Sequence, residues 1–301
     1  MLEDKIIEIF VKIDDFHQEF EEQIKKTALE EGSIKRKRSS KLSDSEIMTI
    51  LVGFHLSQIK NFKAYYVFYV TPHLGHLFPD LVSYNRFVEL QSKVALALMF
   101  YLKYKGLGKS TGISYVDSTP LKVCHIKREK QNKVFKNFAK KGHSSLGWFF
   151  GFKLHLVIND KGEILGFHLT TANVDDRDIK VMQSITRDIF GKLFGDKGYI
   201  SKALADLLFQ DGIQLITKVR KNMKGQNLSQ TDKILLRKRA IIESVNDELK
   251  NIASIEHTRH RSVNGFLINI VTALVAYSFF TQKPSLNIEF ENTNQLSLTA
   301  A

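Results

Sequence analysis

Apolar residues recur at three- and four-residue steps at the start of the chain: Ile6, Phe10, Ile13, Phe16 and Phe20. That spacing lays one apolar stripe along a helix. Ser43-Asp44-Ser45-Glu46 has the form of a capping box, so a second helix is predicted from Ser43 through the apolar run IMTILVGFHL. An aromatic cluster follows (Phe62, Tyr65, Tyr66, Phe68 and Tyr69), then a break bracketed by Pro72 and Pro79. Ser83 can cap a further helix over SYNRFVELQSKVALALMFYLKY. Residues 1–105 therefore read as a helical domain.

Near Gly106 the pattern changes to short apolar or alternating runs between turn residues. Strands are predicted over 112–116, ending at Asp117, and over 149–158, 164–170 and 214–218. Another covers 192–195 and ends at Asp196. Asn159-Asp160-Lys161-Gly162 supplies a hairpin turn. Helices are predicted over 178–190, 199–210, 231–252 and 266–280, with a polar loop over 220–230. The fold class is α/β: a mixed sheet with helices on its faces over 106–283, after an all-helical N-terminal domain. The polar tail, 284–301, is expected to be disordered.

Charge adds a partner to this picture. Lys and Arg number 44 against 32 Asp and Glu, a net charge of +12. Such a surplus favours a polyanion, nucleic acid before an anionic membrane surface. The longest apolar stretch, 266–280, is short for a membrane span and carries Asn269 and Ser278, so it reads as a buried helix. The N-terminus is acidic and amphipathic, unlike a signal peptide, and a cytoplasmic location is expected. A single cysteine, Cys124, excludes an intramolecular disulfide and a cysteine-rich zinc site.

Cutting and joining a nucleic-acid backbone relies on metal ions that activate one oxygen and steady another. Mg²⁺ takes hard oxygen ligands, so the informative residues are carboxylates that a sheet can gather. Asp117 and Asp196 each follow an apolar strand, at the edge where α/β sheets place ligand sites. Alone, either one is more simply a turn or cap residue; together they suit a metal pair. Glu243 is the third candidate. On a helix it lies about 40° from Arg239, with Asn246 and Lys250 within about 20° of Arg239. Those four make a polar stripe beside an apolar one of Ile242, Val245, Leu249 and Ile252. An exposed helix braced by an Arg–Glu pair would give the same pattern.

These residues resemble the DDE transposases of insertion sequences. Arg239, Glu243 and Lys250 reproduce the R-x3-E-x6-K part of that family's signature, whose Tyr is replaced here by Leu236. More narrowly, the chain is similar to the insertion sequence 982 family. The stretches that carry this are SYNRFVEL, YVDSTPLKVC, GDKGYI, RAIIESVNDELK and IEHTRHRSVNGF. The resemblance implies an RNase H-like catalytic domain with a triad at Asp117, Asp196 and Glu243 holding two Mg²⁺ ions, for which Mn²⁺ can substitute. It implies hydrolysis at the element's ends to free a 3′-hydroxyl, which then attacks target DNA. The partners implied are the terminal inverted repeats, target DNA and further copies of the chain in the DNA-bound state. A nuclease that cuts without joining, and a DNA-binding protein with decayed catalysis, are the competing functions.

Arg239 and Lys250 are expected at phosphates near the scissile bond. Lys127, Arg128, Lys140 and Lys141 stand among Phe135, Phe138, His143 and Trp148, a mixture that suits DNA contact. Lys35-Arg36-Lys37-Arg38 is either a second grip on DNA or a solvated loop. Asp175, Asp176 and Asp178 rival the metal ligands but read more simply as charge complementing a helix N-terminus. His257, Arg259, His260 and Arg261 suit phosphate contact or solvation better than zinc.

Overall fold

A computed structural model describes residues 2–30, 40–145, 147–218, 228–257, 260–286, 288–290 and 296–298. The chain divides into two compact units. One comprises Met1–Gly106, Leu249–Ile255 and His260–Phe279; the other comprises Leu107–Glu248, Glu256–Arg259 and Phe280–Ala301. The basic run at Lys35–Arg38 lies outside the described residues, as do 220–227 of the polar loop and Arg259.

The first unit is helical. Its long first helix, Leu2–Glu30, buries Ile6, Ile9, Ile13 and Phe16. The next, Asp44–Leu56, starts at a complete capping box: Ser43 Oγ accepts from the Glu46 amide at 3.1 Å, and Glu46 Oε2 accepts from the Ser43 amide at 2.7 Å. Two orphan donors of the first turn are thereby satisfied. Shorter helices follow, among them Tyr84–Leu90 and Ala95–Tyr101. The apolar helix Val263–Ser278 belongs to this unit and buries Phe266, Ile270, Leu274 and Tyr277. Among the described residues no helix is long and apolar enough to cross a membrane.

The second unit is built on a six-stranded sheet. Its strands are β1 (Ile113–Cys124), β2 (Lys140–Ser144), β3 (Gly147–Asn159), β4 (Ile164–Thr171), β5 (Gly191–Gly195) and β6 (Ile213–Thr217). From one edge the order is β4-β3-β1-β5-β6, with β2 lying along the first residues of β3. β1, β3 and β4 are antiparallel; β5 and β6 run parallel to β1. Three antiparallel strands continued by two parallel ones make a mixed α/β sheet, as expected.

One layer of core lies between this sheet and the helices Ile179–Ile185 and Lys202–Gln210, where Val116, Val157, Met182, Leu193, Tyr199 and Leu204 are buried together. Each large aliphatic side chain so buried contributes about 1.5–3 kcal/mol before the entropy of ordering it.

Several elements differ from their sequence patterns. β1 does not end at Asp117 but runs on to Cys124 through Pro120. Proline is tolerated there because β1 pairs with β5 only as far as Tyr115, so one side of the strand has no ladder partner near Pro120. The basic segment between the first two predicted strands forms a strand of its own, β2, which pairs with β3 as a hairpin at the sheet margin, where lysines keep their charge in water. The single helix predicted over 231–252 is two, Gln230–Arg237 and Ala240–Asn251, with the break at Lys238 and Arg239. The tail, expected to be disordered, carries two short paired strands, Ile288–Phe290 and Leu296–Leu298.

Candidate active site

Asp117 lies inside β1, two residues beyond the last β1–β5 pair, Tyr115 with Phe194. The same register offset brings it level with Asp196, which follows the last residue of β5. The parallel pairing thus sets two carboxylates side by side where the two strands part. Asp196 also caps the short turn Lys197–Tyr199, its Oδ1 accepting from the Gly198 amide at 2.7 Å. Being a cap and being a ligand candidate are therefore compatible: capping engages one oxygen. The helix beyond has its own cap, Ser201.

Glu243 sits in the first turn of the helix Ala240–Asn251, which buries Ile242, Val245 and Leu249. Its carboxylate is 60% exposed and accepts from Arg239 Nη2 at 2.6 Å. Arg239, just outside the helix, reaches the other way to Asp117 Oδ1 at 3.8 Å. Its Nη1 is buried without a hydrogen-bond partner. On the next turn Asn246 donates to Asp117 Oδ2 at 3.1 Å. Lys250 lies seven positions after Glu243, on the last turn of the same helix.

Burial pushes the Asp117 carboxyl up to about 6. Arg239 opposes this, whereas Asp196 and, more weakly, Glu243 add to it by like-charge repulsion. The structure therefore brings Asp117, Asp196, Glu243 and Arg239 into one electrostatic group. The donors are hard oxygens carrying negative charge that one guanidinium leaves only partly compensated, so this group fits a divalent cation. The three carboxylates are not drawn together as closely as His17, Glu21 and Asp44 of the helical unit, whose ligand atoms lie within 4.8 Å of one another. That tighter group holds its charge internally, because Lys93 Nζ stands 2.5 Å from Asp44.

Sequence reasoning passed over a second group beside the first. Lys153 and His155 interrupt the apolar run of β3 two residues apart, so they share a face of the sheet. That alternation was the available signal. Asp176 accepts from Lys153 Nζ at 2.9 Å and from Ser118 Oγ at 2.8 Å, and lies 4.0 Å from His155 Nδ1. Ser118 follows Asp117 and points to the opposite face of β1. Burial drops His155 to about 4, which leaves it neutral at physiological pH. Buried Tyr199 ties the two groups together: its hydroxyl is pushed well up by burial and by the charges of Asp117, Asp176 and Asp196.

The remaining aspartates separate by role. Asp178 caps the helix Ile179–Ile185, and Asp175 pairs with Arg177 at 2.8 Å, which holds its carboxyl well below the usual range. Asp176 does neither; it neutralises Lys153. Of the expected DNA contacts, Lys127 and Arg128 are exposed on the turn Ile126–Gln131, and Lys140 and Lys141 are exposed on β2. Lys141 pairs with Glu129 at 3.2 Å. The aromatics divide: Phe135 is core, edge-on to Phe152, whereas Phe138 and Trp148 are 54% and 62% exposed. His260 packs edge-on against Phe266.

A family model described as a transposase DDE domain matches residues 107–263, just over half of the chain. No curated protein matches. Among solved structures, the crystal structure of the Mos1 strand transfer complex aligns at 10% identity with a TM-score of 0.22, covering 81% of this chain and 78% of that one.

Proposed function

The chain belongs to the family of transposase DDE domains, and we propose that it is the transposase of an insertion sequence of the 982 type, binding the element's ends and catalysing metal-dependent DNA cleavage and strand transfer. The observation that carries this reading is the convergence of Asp117, Asp196 and Glu243 on one electrostatic group, with Arg239 between two of them.

In this reading Asp117, Asp196 and Glu243 hold two Mg²⁺ ions, with Mn²⁺ as a substitute. When bound, the metals activate the attacking oxygen and stabilise the leaving one during in-line displacement at phosphorus. The chain's own residues supply the rest. Asn246 fixes the orientation of Asp117 through its hydrogen bond. Arg239, with one buried and unused donor, can turn its fork to a phosphate oxygen. Lys250 contacts a phosphate further along the strand. Lys127, Arg128, Lys140 and Lys141 present charge to the duplex as it leaves the site. The helical unit recognises the terminal inverted repeats, while the unit built on the sheet carries the chemistry. Hydrolysis frees a 3′-hydroxyl at the element's end, and that hydroxyl then attacks target DNA within an oligomer of the chain in the cytoplasm.

The test is a strand-transfer assay with a labelled element end, Mg²⁺ and supercoiled target. The wild-type chain should nick the end and join it to target, and Asp196→Ala should do neither while still binding DNA. Cleavage without joining would favour a nuclease of the same fold. Mg²⁺-dependent cleavage that survives Asp196→Ala would refute the site.

A further inference from the structure

The first helix and the start of the second bring together three metal-ligating side chains that the DNA chemistry does not use. His17 and Glu21 stand four residues apart on Leu2–Glu30, so they are neighbours on one helix face. Asp44 is the first residue of Asp44–Leu56, directly after the Ser43 cap. One ring nitrogen of His17 and one carboxylate oxygen each from Glu21 and Asp44 all lie within 4.8 Å of one another. All three residues belong to the helical unit, whereas Asp117, Asp196 and Glu243 belong to the other.

His17 is the member that asks for a ligand. It is 9% exposed, yet its ring makes no hydrogen bond among the described residues. Asp44 Oδ2 faces its Nε2 at 3.8 Å, too far for a hydrogen bond. An ion between them closes that gap. With bonds of about 2.1 Å, donor atoms around a tetrahedral ion stand about 3.4 Å apart. The pair at 3.8 Å is already near that spacing, and the exposed Glu21 side chain can swing in to complete it.

The surrounding charges suit this use. Lys93 Nζ, 2.5 Å from Asp44 Oδ1, holds the other oxygen of that carboxylate and leaves Oδ2 turned to His17. Ligating carboxylates commonly carry such an outer hydrogen bond. Lys25 stands 3.4 Å from Glu21, whose side chain is 41% exposed, and a surface pair of this kind is weak enough to yield to a metal. With Asp44 offset by Lys93, the charge of Glu21 remains for the ion.

The donor set selects the ion. Mg²⁺ and Ca²⁺ favour all-oxygen sites, whereas imidazole suits first-row transition ions such as Zn²⁺. We propose that His17, Glu21 and Asp44 form a Zn²⁺ site that clips the first helix to the second, with water in the fourth position. The unfolded chain has no such preformed group, so binding of the ion adds directly to the stability of the fold.

The experiment strips the full chain with EDTA, returns it to buffer containing excess Mg²⁺, and adds Zn²⁺. Elemental mass spectrometry after gel filtration counts retained zinc, and circular dichroism follows melting. The wild-type chain should retain a Zn²⁺ ion that excess Mg²⁺ does not displace. Its melting temperature should rise by about 5 °C when Zn²⁺ is about a hundred times its dissociation constant. Asp196→Ala, which alters only the carboxylates on the sheet, should keep this ion and this rise. Glu21→Gln changes an exposed side chain, so it should melt with wild type when metal-free and bind Zn²⁺ more than ten-fold more weakly. His17→Gln should weaken it similarly. A wild-type chain that retains no zinc would overturn the proposal, as would zinc held equally by Glu21→Gln and His17→Gln, or zinc lost with Asp196→Ala.

Discussion

The side-chain amide of Asn246 donates to Oδ2 of Asp117 at 3.1 Å, so the helix that presents Glu243 also orients a carboxylate on the sheet. Asn246 Oδ1 is buried without a hydrogen-bond partner, which leaves Asp117 as the contact that fixes this amide. Groups that orient a ligand typically change metal affinity or activity 10–100-fold when removed. Asn246→Leu should therefore raise the Mg²⁺ concentration needed for half-maximal cleavage by about ten-fold or more, without weakening DNA binding. A Mg²⁺ titration of cleavage decides it: an unchanged midpoint would reduce Asn246 to packing.

Asp117 offers a test that needs no DNA. Its carboxyl stands at about 6 in the folded chain against an ordinary 3.8. The folded state thus holds this proton more tightly than the unfolded state does. Stability is greatest while the group is protonated in both states, falls as pH rises from about 4 to about 6, and is level above that. The whole loss across that window is at most about 3 kcal/mol. Asp117→Asn should abolish this slope and raise the melting temperature of the metal-free chain at neutral pH. Melting curves in EDTA across this range check it; parallel slopes for the two proteins would show that Asp117 carries no such strain.

The sequence marked the sheet well and the site unevenly, for physical reasons. Strands with strong alternation or full apolar runs, such as β3 and β5, were legible because one layer of core buries them. β2 was not, because Lys140-Lys141-Gly142-His143 has the composition of a loop and becomes a strand only by pairing with β3. β1 reads too short because Ser118-Thr119-Pro120 has turn chemistry, and only the departure of β5 leaves room for that proline. Asp117, Asp196 and Glu243 could be nominated from strand ends and a helix face. Asp176 could be named only as one of three aspartates before a helix; its bonds to Lys153 and Ser118 were not legible, because those partners are 23 and 58 positions away.

Close packing at the sheet's centre makes a separate stability prediction. Gly151 on β3 lies against the carbonyl of Leu121 on β1, and a Cβ there would fall well inside van der Waals contact with backbone. Backbone cannot yield as a flexible side chain does, so Gly151→Ala should destabilise the chain by about 1–3 kcal/mol. Denaturant midpoints measure this. A midpoint equal to that of wild type would mean that β1 and β3 separate at little cost.

Arg239 is where charge and geometry can be told apart. Its Nη2 binds Glu243 at 2.6 Å while Nη1 stands 3.8 Å from Asp117. The charge counters the upward push on the Asp117 carboxyl. Arg239→Ala removes that restraint, so Asp117 holds its proton to higher pH and the acid limb of the cleavage profile should move upward. Arg239→Lys keeps the charge but cannot span both carboxylates with one ammonium. That variant should leave the acid limb in place and slow cleavage about ten-fold, the scale of one hydrogen bond to a charged group. Single-turnover cleavage rates across pH separate the two effects. Equal displacement of the limb in both variants would mean that the fork, not the charge, sets the protonation of Asp117.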